Sequence, residues 1–182
     1  MLFRSNGGTV TLDDTTGAMA HLQTSTGTTG IAKLSSIEPL RYIPGHEAYA
    51  YFTTIFTTGV ANSTQWAGVF DSVDGFAVGY NGTTFSILHR IDSSDSTVAQ
   101  SSFNIDRLDG TGPSRITLDS TKMNIFRISY GWLGTAPITF EICRKDGQWF
   151  PFHMIQRANE ESVPSIYNPV LPLTMEIGRA HV

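Results

Sequence analysis

Apolar and polar residues exchange at every second position along much of Ala48–Gln156, and no run of a dozen residues keeps a 3.6-residue apolar period. A period of two is that of a strand. In Ala48–Thr57, Tyr49, Tyr51, Thr53 and Ile55 face one way and Ala50, Phe52, Thr54 and Phe56 the other. Both faces are substantially apolar, which predicts a central strand. Trp66–Phe70 predicts a short strand. Gly75–Tyr80 and Thr84–Arg90 flank Asn81-Gly82 and predict a hairpin with the turn at that pair. In Ile125–Trp132, Phe126, Ile128, Tyr130 and Trp132 share a face opposite Arg127 and Ser129. In Pro137–Cys143, Ile138, Phe140 and Ile142 alternate with Thr139 and Glu141. Gln148–Gln156 and Leu171–Met175 complete the strand candidates. The expected core is Phe52, Phe56, Phe126, Ile128, Tyr130, Ile138, Phe140 and Ile142.

Between these elements the chain is punctuated by turn residues. Pro44-Gly45, the serine-rich Asp92–Ser96 and Lys145-Asp146-Gly147 read as turns or loops. Phe103–Lys122 reads as one long irregular loop, a length that usually has a task in packing or function. Within it, Asp109-Gly110-Thr111-Gly112-Pro113-Ser114 is expected to be ordered, with Asp109 accepting backbone amides. Residues 1–36 form a lead-in with short strands at Thr9–Leu12 and Ala18–Gln23, or else a flexible segment; residues 37–175 form the domain. Many short strands separated by turns predict an all-β fold, an antiparallel β-sandwich of jelly-roll-like type.

Composition narrows the function classes. Charged residues are only 15% of the chain, which argues against disorder and against a long-helix protein. The net charge is −4 and no basic run occurs, so no nucleic-acid partner is expected. Apolar stretches are too short for a bilayer-spanning helix, and no membrane partner is expected. Met1–Leu12 lacks the pattern of a secretory signal. The lone Cys143 excludes an intramolecular disulfide and reads as a small strand residue.

Candidate chemistry is sparse. His21, His46, His89, His153 and His181 show no helical metal spacing, and His89 and His153 read as packed or surface strand residues. Asp71-Ser72-Val73-Asp74-Gly75 opens like a calcium loop but lacks the later ligands, and a β-turn explains it. Asp106, Asp109 and Asp119 with Glu141 could supply a carboxylate pair for sugar hydrolysis, but aspartates in Gly-Pro loops usually shape turns. Ser114 is not in a nucleophile elbow. Trp66, Trp132 and Trp149, with six tyrosines, could stack a sugar ring or form core. No catalytic, cofactor-binding or metal residue is assigned from sequence, no cofactor is expected, and the chain is expected not to be an enzyme.

Several segments resemble uncharacterised virion-associated proteins of tailed bacteriophages and related environmental DNA viruses. They are Arg41–Gly45, Asp74-Gly75-Phe76, Asn104–Ser114, Leu118-Asp119 with Thr121-Lys122, and Trp132-Leu133-Gly134. The resemblance spans Arg41–Met175, and Asp109–Ser114 with the following Leu118-Asp119 is its most specific part. It implies a β-sandwich structural module of a phage-like virion, in a tail, fibre or capsid decoration. The protein would be made in the host cytoplasm, and its partners would be other virion proteins and further copies of itself. No catalytic residues are implied. The alternative is a lectin-like receptor-binding module for a host-surface glycan, and a third, less favoured reading is a glycan-degrading depolymerase.

The end of the chain carries one more resemblance. Glu176–Val182 matches the in-frame translation GAG ATC GGA AGA GCA CAC GTC of a common short-read sequencing adapter. Residues 176–182 are therefore expected to be an artefact, with Arg179–Val182 lacking stable packing and Arg179 and His181 without function.

Overall fold

The computed structural model describes residues 2–5 (backbone only), 7–13, 17, 19–24, 29–131 and 134–179. Among the described residues thirteen strands run in chain order: β1 Leu2–Ser5, β2 Thr9–Asp13, β3 Met19–Gln23, β4 Ile31–Ser35, β5 Glu47–Thr54, β6 Ser63–Phe70 and β7 Gly75–Asn81. Then come β8 Thr84–Ile91, β9 Ser94–Ala99, β10 Asn124–Gly131, β11 Ile138–Cys143, β12 Trp149–Ile155 and β13 Leu173–Arg179. Seven form a large sheet in the order β1-β4-β13-β6-β7-β8-β9, and four form a small sheet, β12-β11-β10-β5. A separate hairpin pairs β2 with β3. All pairings are antiparallel. The fold is an antiparallel β-sandwich of jelly-roll type.

The two sheets meet through the alternation read from sequence. Ala48, Ala50 and Phe52 of β5, Phe126, Ile128 and Tyr130 of β10, and Ile138, Phe140 and Ile142 of β11 form one buried cluster. Ala67, Val69, Phe76, Val78, Phe85 and Ile87 enter it from the large sheet. All eight expected core residues are buried. Trp66, Phe70, Ala77 and Leu88 form a second buried cluster. It belongs to the opposite side of β6–β8, because the side-chain period is two.

Three strand readings need correction. β5 is not central but an edge strand of the small sheet, with a strictly alternating exposed–buried pattern. Its second apolar face, Tyr49 and Tyr51, is therefore in solvent, 43% and 53% exposed. The stretch Asp92–Ser96 is not all loop: β9 begins at Ser94, after a tight turn in which Asp92 and Ser93 hold φ of 49° and 64°. Its serines and threonine hide it because an edge strand needs no apolar face. In the β7–β8 hairpin Asn81 pairs with Thr84, so the turn is Gly82-Thr83, with Gly82 at φ 60°. Glycine in the first central position suits such a two-residue turn.

The loop 103–122 is organised by Asp106 more than by Asp109. Asp106 is buried, and its two carboxylate oxygens accept Leu108 N–H at 2.8 Å and Ser114 N–H at 2.7 Å. A Cβ on Gly112 would lie 2.4 Å from that carboxylate, so glycine is required by close approach. Asp109 is exposed and accepts Thr111 N–H at 2.9 Å. Phe103 and Leu108 anchor the loop in the core. Its start runs along β12: the Asn104 side chain exchanges hydrogen bonds with Met154, and Ile105 and Asp106 N–H both donate to Phe152 O.

Residues 1–36 supply β1 and β4 to the large sheet and the β2–β3 hairpin. β13 runs through residues 176–179 between β4 and β6. The expectation that Arg179 lacks packing is not met, since its N–H donates to Gly30 O at 3.1 Å. Residues 180–182, including His181, lie outside the described residues, as do Trp132 and Leu133.

Candidate functional site

The outer face of the small sheet carries a polar pair under aromatic cover. Register places Tyr51, Arg127, Glu141 and Pro151 opposite one another across β5, β10, β11 and β12. Outward projection follows from period two: Phe126 and Ile128 are buried, so Arg127 between them faces solvent. Arg127 Nε and Nη2 donate to the two Glu141 carboxylate oxygens, a fork-to-fork pairing. That carboxylate holds the guanidinium protonated above its ordinary range. Arg127 Nη1 points to Tyr51 Oη at 3.5 Å.

Three aromatic rings gather on this guanidinium. Its Cζ lies 4.7 Å from the Trp149 ring centroid, 5.7 Å from Tyr51 and 5.8 Å from Tyr49. Trp149 belongs to β12, yet its ring reaches Tyr51 of β5 edge-on at a 5.4 Å centroid distance. Tyr49 and Tyr51 are stacked, 24° from parallel. Tyr49 Oη donates to Glu47, which raises the phenol pKa. Arg127 and Glu141 side chains retain only 20% and 10% exposure, while the tyrosine rings remain half in solvent. The result is an aromatic surface over a bidentate charge pair. It offers π faces and hydroxyls to a ligand.

The carboxylates weighed for hydrolysis are each engaged in local hydrogen bonds. Asp106 caps amides inside its loop, and both Glu141 oxygens are taken by Arg127. Asp109 and Asp119 are exposed, and each accepts the hydroxyl and amide of a threonine two residues on, Thr111 and Thr121. Those bonds lower both pKa values. Ser114 is buried and accepts Ile116 N–H.

The Asp71–Gly75 segment is a turn. Asp71 accepts Val73 and Asp74 N–H, and the buried Asp74 carboxylate accepts N–H groups of Asp92, Tyr167 and Asn168. The four described histidines are dispersed. His89 is stacked on Phe76 with Nε2 2.7 Å from Ser165 O, and His153 Nδ1 accepts Asn104 N–H. His21 sits 3.7 Å from Asp13, and His46 is exposed. The two described tryptophans do not share a site: Trp66 is buried with the second cluster, and Trp149 lies over Arg127. Sequence reasoning named Trp149 and placed Tyr49 and Tyr51 on one face, but missed their convergence on Arg127. An arginine at the polar phase of an otherwise apolar strand was the available signal.

No family model matches the chain, and no curated protein does. Among solved structures, an endo-β-1,4-glucuronan lyase from the fungus Trichoderma reesei is similar over 98% of this chain and 77% of its own. The identity is 11% and the TM-score 0.48. A legume lectin-like domain from Entamoeba histolytica is similar over 96% of this chain and 80% of its own, at 12% identity and TM-score 0.41. The expectation that the chain is not an enzyme is corrected by the first of these, which is an enzyme. At these identities neither structure lends its activity to this chain.

Proposed function

We propose that the chain is a glycan-recognition module carried on a phage-like particle, binding saccharide through Tyr49, Tyr51 and Trp149 over the Arg127–Glu141 pair. The observation that carries this reading is the convergence of three rings on one guanidinium at a solvent-facing sheet surface. A pyranose has an apolar C–H face and a rim of hydroxyls. Aromatic rings match the first, and phenol hydroxyls with a fixed ion pair match the second. Preorganisation supports it, because the bidentate pair holds the rings in place before a ligand arrives. The particle context and the virion partners rest on the resemblance of Arg41–Met175.

Tryptophan fluorescence tests the site. Oligosaccharide binding is expected to change the emission of the chain, and Trp149→Phe is expected to remove most of that change. A response that survives Trp149→Phe unaltered would place the ligand elsewhere.

A second reading, a structural virion subunit, is favoured by exposed Ile55 and Ile125 beside the two tyrosines. Tyr, Trp and Arg at the centre of a partly apolar patch also suit a protein partner. Co-purification with assembled particles in the absence of any glycan binding would favour it.

A further inference from the structure

The two edges of the small sheet are treated differently. β12 is covered by the Asn104–Asp106 segment, carries Pro151, and changes register between Phe140 and Glu141. β5 has none of these devices. It is eight residues long, contains no Pro, Lys or Arg, and pairs with β10 without a register shift. Among the described residues, Glu47–Thr54 make no backbone hydrogen bond outside that pairing. The large sheet guards its own edges: β9 is polar and holds Asp95, and β1 has four residues. An unguarded regular edge beside exposed tyrosines is a template for strand addition.

We infer that β5 pairs antiparallel with β5 of a second copy of this chain, joining two small sheets into one. The charge layout selects this partner and direction. Glu47 is the only charged residue of β5 and sits at its end. Antiparallel self-pairing sends the two Glu47 side chains to opposite ends, whereas parallel pairing sets them side by side. The alternation of β5 fits a two-fold axis perpendicular to the sheet, because buried residues of both copies then stay on the core side. With Ala50 on the axis, Tyr49 of one copy faces Tyr51 of the other. Two aromatic surfaces then lie together on one face, and under the glycan reading the dimer is bivalent. The dimer itself does not depend on that reading.

Sedimentation equilibrium of the full chain tests the pairing, together with a nitroxide at Thr53→Cys on a Cys143→Ser background. A concentration-dependent dimer is expected. The label pair should report a backbone separation of about 20 Å, from six residues at ~3.4 Å each. Tyr49→Lys with Tyr51→Lys should raise the dissociation constant at least about tenfold with an unchanged strand-type circular dichroism spectrum, since like charges then oppose across the junction. A monomer up to about 1 mM, the range of the weakest specific complexes, overturns the inference. So does a dimer that ignores both lysines or gives no distance between the Thr53 labels.

Discussion

Arg127 and Glu141, directly opposite on β10 and β11, are joined by two hydrogen bonds under the Trp149 ring. Most of both side chains is out of solvent. Removing one partner leaves the other poorly solvated and unpaired. Glu141→Ala is therefore expected to lower stability by about 2–3 kcal/mol, below the 3–5 of a fully buried pair. Arg127→Lys is expected to lose the planar fork and part of the ring stacking. Urea unfolding checks both; a Glu141→Ala loss under about 0.5 kcal/mol would mean a surface pair.

The long loop makes a contrasting pair of predictions. Asp106→Ala leaves two amides without their acceptor in a buried setting and is expected to cost about 2–4 kcal/mol. Asp109→Asn, at an exposed turn, should stay within about 1 kcal/mol. Equal effects from the two substitutions would contradict the assignment of Asp106 as the residue that orders Asp109–Ser114.

The core faces were legible because they are written in single-residue alternation. Phe126, Ile128 and Phe140 could be assigned inward from β10 and β11 alone, and they are buried. Phe140→Ala is expected to cost about 3–5 kcal/mol. The position of a strand in its sheet was not legible. β5 looks two-sided and apolar, the pattern of a central strand, yet it is an edge whose outer tyrosines belong to a surface site. β9 was invisible because Ser94, Asp95, Ser96 and Thr97 carry no apolar face. The site was half legible. Its residues lie on four strands, and only the pairing register sets Tyr51, Arg127 and Glu141 in line. Nothing local in sequence tells that the Trp149 ring crosses to Tyr51.

Two buried histidines predict a pH dependence. Burial lowers the pKa of His89, aided by the repulsion of Arg157 and opposed by the Ser165 carbonyl; burial also lowers that of His153. Both are depressed below the unfolded value of about 6.5, so the unfolded chain takes up protons first as pH falls. Their stabilisation is present above about pH 6.5 and is lost as pH falls from there toward the folded pKa values. The slope is at most ~1.4 kcal/mol per unit for each histidine. Protonating His153 also removes the Nδ1 acceptor for Asn104 N–H. Urea midpoints between pH 7.5 and 5.5 should decline, and His153→Asn should flatten the decline. A flat profile in the wild type would contradict this.

The central claim is that the aromatic surface over Arg127 binds saccharide, and a glycan array read with the wild type, Tyr51→Ala and Trp149→Ala tests it most directly. Each variant removes one ring and leaves the Arg127–Glu141 bonds in place. The wild type is expected to select at least one glycan. Each variant is expected to weaken that binding by at least about tenfold, a loss of ~1.4 kcal/mol, without a change in fold. No selected glycan on an array of bacterial surface saccharides, or binding that both variants retain, would contradict it.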